Sequence, residues 1–115
     1  TFVGHGPGFW REISGDAARS TDVYPAGKVA PGGKIKRLLA RHPNLYADLS
    51  AQSGLNALAR DLRHARRFIA RFHKKLLYGT DSYTRDHLDF LEGLGLDPKV
   101  FRDITRRNAA RLVKA

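Results

Sequence analysis

The stretch "KLLYGTDSY", residues 75–83, decides the fold. Leu76, Leu77 and Tyr78 make a short apolar run that stops at Gly79, Thr80 and the carboxylate of Asp81. A short apolar run closed by glycine reads as a strand buried in a sheet. Side chains alternate along a strand, so Asp81, Gly79 and Leu77 share one face while Leu76, Tyr78 and Thr80 share the other. In β/α architectures the loops after the C-terminal strand ends gather at one face, where chemistry sits. Asp81 is at such an end.

Two further strands are expected upstream. "TFVGH", residues 1–5, is a β-branched and aromatic run ending in His5. "NLYADLS", residues 44–50, sets Leu45, Ala47 and Leu49 against Tyr46, Asp48 and Ser50 with the strand period of two. Between these runs the pattern turns helical. Residues 34–42 put Ile35, Leu38 and Leu39 inward and stop at Pro43. Residues 54–74 read as one long helix with Leu55, Leu58, Leu62, Ala65, Ile69 and Phe72 in a single apolar stripe. Residues 83–95 form a helix on Leu88, Leu91 and Leu94. Asp97-Pro98 then starts a closing helix that breaks near Thr105. Residues 6–33, rich in glycine and proline, are largely loop with a helical turn near Arg11 to Ala18. Strands alternating with helices predict an α/β fold with parallel strands, right-handed crossovers and outer helices.

The 115 residues suffice for one domain and one core, spanning 1–115 with no separate second domain. With 42% hydrophobic and 28% charged residues the composition is globular rather than disordered. The chain has no cysteine, which excludes disulfides and thiolate metal sites. No apolar run approaches a membrane span, and "TFVGHGPGFW" lacks the charged start of a signal peptide. No membrane association and a cytoplasmic location are the expectation. The chain begins without Met inside an expected strand, which suggests a piece of a longer protein.

Lys and Arg outnumber Asp and Glu by 21 to 11, a net charge of +10 that by itself points to an anionic partner. The distribution weakens that reading. Arg60, Arg63, Arg66, Arg67 and Arg71 fall off the apolar stripe of their helix, as a solvated outer face would. No zinc-finger spacing or RNA-recognition signature accompanies them. A non-catalytic nucleic-acid-binding α/β domain is therefore the alternative, marked by steeply salt-dependent binding.

The three expected strands all end in polar groups: His5, Asp48 with Ser50, and Asp81. Each has an ordinary reading. Asp81 could cap the next helix, in competition with Ser82 and Thr84, and His5 could be a structural hydrogen-bonding group. Phe9 and Trp10, just after His5, could line a pocket for an aromatic or planar carboxylate substrate, or pack their loop onto the rim. Lys28 in the same loop would favour an anionic substrate.

The joint pattern carries more. "FVGHGPGFW", "NLYADLSAQSG", "LLYGTD" and "NAARL", in that order, resemble the C-terminal part of the amidohydrolase superfamily, in the branch of metal-dependent hydrolases and nonoxidative decarboxylases. The resemblance implies a (β/α)8 TIM barrel in which residues 1–5, 44–50 and 75–81 are strands six, seven and eight. By it, Asp81 resembles the aspartate that binds a divalent metal, zinc or alternatively manganese, and takes a proton from metal-bound water. His5 resembles the histidine that polarises substrate or handles a proton. Both roles are chemically sound, since a cation lowers the pKa of bound water and an imidazole titrates near neutrality. Asn108 and Arg111 in the closing motif are expected to be structural.

The family's first-strand His-x-His pair and strand-five histidine have no counterpart here and would lie upstream of Thr1. His42, His64, His73 and His87 do not pair at i, i+4. A zinc site takes three or four protein ligands, and this chain offers one or two. The expectation is thus the C-terminal portion of an enzyme hydrolysing a small molecule through a metal-activated water, with decarboxylation as the alternative. Its open strand edges favour a homo-oligomer or another associating chain.

Overall fold

The computed structural model describes residues 1–113. Strands β1 (Phe2–Gly4), β2 (Leu45–Asp48) and β3 (Leu76–Leu77) form one parallel sheet in the order β1-β2-β3. Phe2 stands opposite Leu45, Val3 opposite Tyr46, and Asp48 opposite Leu77. With a side-chain period of two, this register puts Ala47, Leu49 and Leu76 on one face and Val3, Tyr46, Asp48 and Leu77 on the other. The first set is buried under the helices. The fold is α/β, as the alternation of strand and helix patterns predicts.

A short helix α1 (Pro7–Trp10) follows β1, with 3-10 turns at Arg11–Ile13 and Ala17–Arg19. Helix α2 (Lys34–Arg41) buries Ile35 and Leu39, one turn apart. Leu38, expected inward, is exposed. At about 100° per residue its position is turned about 80° from the middle of the Ile35–Leu39 face, toward solvent.

The expected long helix is two helices, α3 (Ala51–Ala59) and α4 (Leu62–Phe72). Asp61 divides them. Its backbone is extended, with φ −152 and ψ 94, and its carboxylate accepts the His64 N–H at 3.1 Å and the Val29 N–H at 3.0 Å. An N-cap of this kind satisfies an orphan donor of the new helix and ties it to the preceding loop. Leu62, the first residue of α4, is consequently exposed rather than in the stripe, and Phe68 joins Ala65, Ile69 and Phe72 inside. Arg63, Arg66, Arg67 and Arg71 are on the solvent side.

Helix α5 (Asp86–Gly93) precedes α6 (Pro98–Arg102), whose N-cap Asp97 accepts the Lys99 N–H at 2.8 Å. A π-helical turn (Asp103–Arg107) leads into α7 (Asn108–Leu112), the break expected near Thr105. The Thr105 hydroxyl donates to the Phe101 carbonyl at 2.7 Å within that turn. Asn108 is fully buried, and its amide donates to the carbonyls of His73 at 2.6 Å and Leu76 at 2.8 Å. Arg111 hydrogen-bonds the Asn108 side-chain oxygen. The closing motif is structural in the described residues. No described helix is long and apolar enough to cross a membrane.

Candidate active site

Parallel strands bring their C-terminal ends together, and that end holds His5, Asp48, Ser50 and Asp81. His5 and Asp48 follow from the register: both are on the face of Val3 and Tyr46, one past β1 and the other closing β2. Asp81 arrives through a left-handed backbone, φ 59, a conformation in which Asp is enriched several-fold among non-glycine residues. Ala51, which opens α3, is also left-handed at φ 63. Two bonds hold it there: its N–H donates to the Thr80 carbonyl at 2.9 Å, and its carbonyl is 2.7 Å from Nε2 of the buried His87.

Asp48 is the hub. Its Oδ1 accepts the Ser50 N–H at 2.9 Å, and its Oδ2 accepts the Ser50 hydroxyl at 2.8 Å. The same Oδ2 is 3.1 Å from His5 Nδ1, and the Ser50 Oγ is 3.3 Å from that nitrogen. On its other side His5 presents Nε2 to Asp81, 4.0 Å from Oδ2. Gly79 leaves room for this packing, since a Cβ there would be 3.3 Å from Asp48 Oδ1 and 3.2 Å from the Ser50 Cβ.

Asp81 does not cap α5. That helix starts after Arg85 without a side-chain cap, and the Thr84 hydroxyl accepts the nearby Asp86 N–H at 3.0 Å. The Asp81 side chain is 63% exposed and takes no hydrogen bond from the described residues. Trp10 is buried in the core, and its indole N–H donates to the Asp48 carbonyl at 2.8 Å. Its ring packs within the core cluster. Phe9 is half-buried edge-on to Trp10, 5.2 Å between ring centres, beneath Gly4, where a Cβ would run into its ring. Lys28 lies in the loop that Asp61 and Arg60 pin, with the Arg60 guanidinium donating to the Gly27 carbonyl at 2.8 Å.

The donors at this mouth suit a divalent cation in type: a carboxylate that takes no hydrogen bond from the described residues and a ring nitrogen beside it. They fall short in number. No group of three or more His, Cys, Asp or Glu among the described residues could hold a metal ion. The other histidines are engaged or remote. His73 Nδ1 is 2.8 Å from Asp103, His87 is bonded to Ala51, and His64 is packed on Phe68. Asp48 and Ser50 are the functional candidates that pattern reading left outside the site. The signal was present in "NLYADLS", where the strand period puts both on one face at the strand end.

Residues 33–115 match the family model described as amidohydrolase. The match includes Asp48, Ser50 and Asp81, while His5 lies before it. No curated protein and no solved structure matches the chain significantly.

Proposed function

The chain belongs to the amidohydrolase family, and from that premise we propose that it supplies strands six to eight of a barrel hydrolase acting on a small-molecule substrate. The observation that carries the reading is the His5–Asp81 pair, which two separate strands bring to one sheet end, Nε2 to Oδ2 at 4.0 Å. In this reading Asp81 would help hold a divalent metal, zinc or manganese, together with donors from outside residues 1–113, and when bound the metal would supply an activated water. Asp81 contributes negative charge and a proton-accepting oxygen. His5 Nε2 faces the same space and can exchange a proton with, or polarise, a substrate carbonyl.

The test is Asp81→Asn in the protein that carries this chain. The amide keeps the shape and loses the charge. Metal content by elemental analysis and turnover of simple amides and esters should both fall, turnover by about 1,000-fold or more for a group that is both ligand and base. Full metal content with near-normal turnover would overturn the assignment.

A further inference from the structure

We infer that Asp48 is a positioning residue for His5, fixing its ring and its tautomer so that the Nε2 lone pair points toward Asp81. The inference rests on the reading of His5 as an acid–base group and goes beyond it, because it assigns a residue on a different strand. Three features carry it.

The first is the proton count at Nδ1. Both Oδ2 of Asp48, at 3.1 Å, and Oγ of Ser50, at 3.3 Å, lie on that nitrogen. Ser50 Oγ is closer to Asp48 Oδ2, at 2.8 Å, so its single hydroxyl proton is directed there and its lone pairs are left for His5. An unprotonated Nδ1 would set a lone pair against a carboxylate oxygen. A protonated Nδ1 donates to both acceptors. Nε2 also faces a carboxylate oxygen, Asp81 Oδ2, but at 4.0 Å, beyond hydrogen-bond distance, so the single proton of a neutral ring is placed at Nδ1, 3.1 Å from Asp48 Oδ2, and the lone pair is left on Nε2.

The second is the rigidity of Asp48 itself. Ser50 holds both carboxylate oxygens, through its N–H at 2.9 Å and its hydroxyl at 2.8 Å, and the Trp10 indole holds the backbone carbonyl at 2.8 Å. The orientation of the His5 ring is thereby referred to the core, in which Trp10 is 1% exposed.

The third is the turn that carries Ser50. The next residue is the left-handed Ala51, clamped by Thr80 and by His87 of α5. Hydrogen bonds to Ala51, the Ser50–Ala51 peptide link and the Ser50–Asp48 bonds together connect α5 to the His5 ring. A carboxylate that orients an imidazole in this way fixes which nitrogen is basic, and such partners cost activity when removed even though they touch no substrate.

The test is made on the protein that carries this chain, labelled with ¹⁵N-histidine. Long-range ¹H–¹⁵N spectra should show His5 with a protonated Nδ1 and a lone-pair Nε2. Asp48→Asn should convert that signature to a mixed or inverted one. It should lower kcat about 100-fold, the lower end of what a positioned acid–base group supplies, with KM within about twofold. Ser50→Ala should move both readouts in the same direction by less. A wild-type His5 protonated at Nε2 would overturn the inference, as would an Asp48→Asn variant with unchanged tautomer and kcat. Where Asp48→Asn fails to fold, the wild-type spectrum decides alone. The two readings separate cleanly: a protein with the Nδ1–H signature but no metal-dependent turnover keeps the Asp48–His5 assignment and loses the hydrolase.

Discussion

His64 has both ring nitrogens buried without a hydrogen-bond partner, and its ring stacks on Phe68 at 5.9 Å. Burial holds its pKa below the ordinary 6.5; nearby Lys36, and then Arg67 and Arg60, push the same way, while Asp61 opposes. The native ring is therefore neutral in a range where the unfolded chain already takes a proton. Between the depressed native value and about 6.5 the unfolded state binds more protons, so stability rises with pH there. It is full above about 6.5 and is lost as pH falls through that window. Urea midpoints should decline from pH 7.5 to 5.5, and His64→Phe, which keeps the stacking and removes the titration, should flatten the decline. An equally steep decline in the variant would locate the acid sensitivity elsewhere. The residue scale also shows what a sequence makes legible. His5 and Asp81 stand out because each ends an apolar run. The part Asp48 plays does not, because it depends on the β1–β2 register and on which oxygen Ser50 occupies. Nor does the depth of Trp10, whose indole finds a backbone carbonyl 38 residues away.

Asp61 governs the elements. Apolar residues at steps of three and four run across residues 55–72 as if one helix held them all. Such spacing tells which side chains face inward and is silent on whether the backbone is continuous. The break was legible only as an acid in mid-pattern, and its partner Val29 lies in a loop whose path the pattern does not reveal. The backbone N–H of Val29, and then that of His64, hold the Asp61 carboxyl below its usual range, so its contribution is present at neutral pH and lost as pH falls through the lowered value. Asp61→Ala removes the cap of α4 and the tether of the loop together. The expected cost is about 1 kcal/mol for the cap, which for a chain of this size lowers Tm by about 4 °C or more. Asp61→Asn, a comparable N-cap, should recover most of the loss. Thermal melts of the three proteins decide the matter, and an Ala variant melting with the wild type would mean that α3 and α4 are set by packing alone. The strands were legible as short runs ended by polar groups, although β1 (Phe2–Gly4) and β3 (Leu76–Leu77) are shorter than the runs 1–5 and 75–81.

At the scale of the whole molecule the two sheet edges are unequal. Along β3 the backbone groups of Leu77 point to β2, so those of Leu76 and Tyr78 point outward. The chain itself satisfies two of them: the Asn108 amide takes the Leu76 carbonyl at 2.8 Å, and the Tyr78 N–H reaches the Ile104 carbonyl at 3.0 Å. That pairing could not be read from the sequence, in which "NAARL" lies some thirty residues beyond the strand. Along β1, Phe2 donates to Asn44, so the groups of Val3 point outward, and no described residue pairs with them. Beside this edge the face opposite the helices exposes Val3, 48% accessible, next to the half-buried Tyr46. An unpaired edge beside an apolar face is a template for another strand. The 115 residues on their own are therefore expected to associate through β1, and sedimentation velocity across a concentration series should show species larger than the monomer. Val3→Pro deletes the outward N–H while leaving the Phe2 and Gly4 bonds to β2, and should shift the distribution toward monomer. Asn108→Ala, which uncovers the Leu76 carbonyl at the other edge, should shift it the opposite way. A wild-type chain that remains monomeric at every concentration would mean that the β1 edge is blunted by something other than strand pairing, with the glycine-rich turn after His5 the first segment to examine.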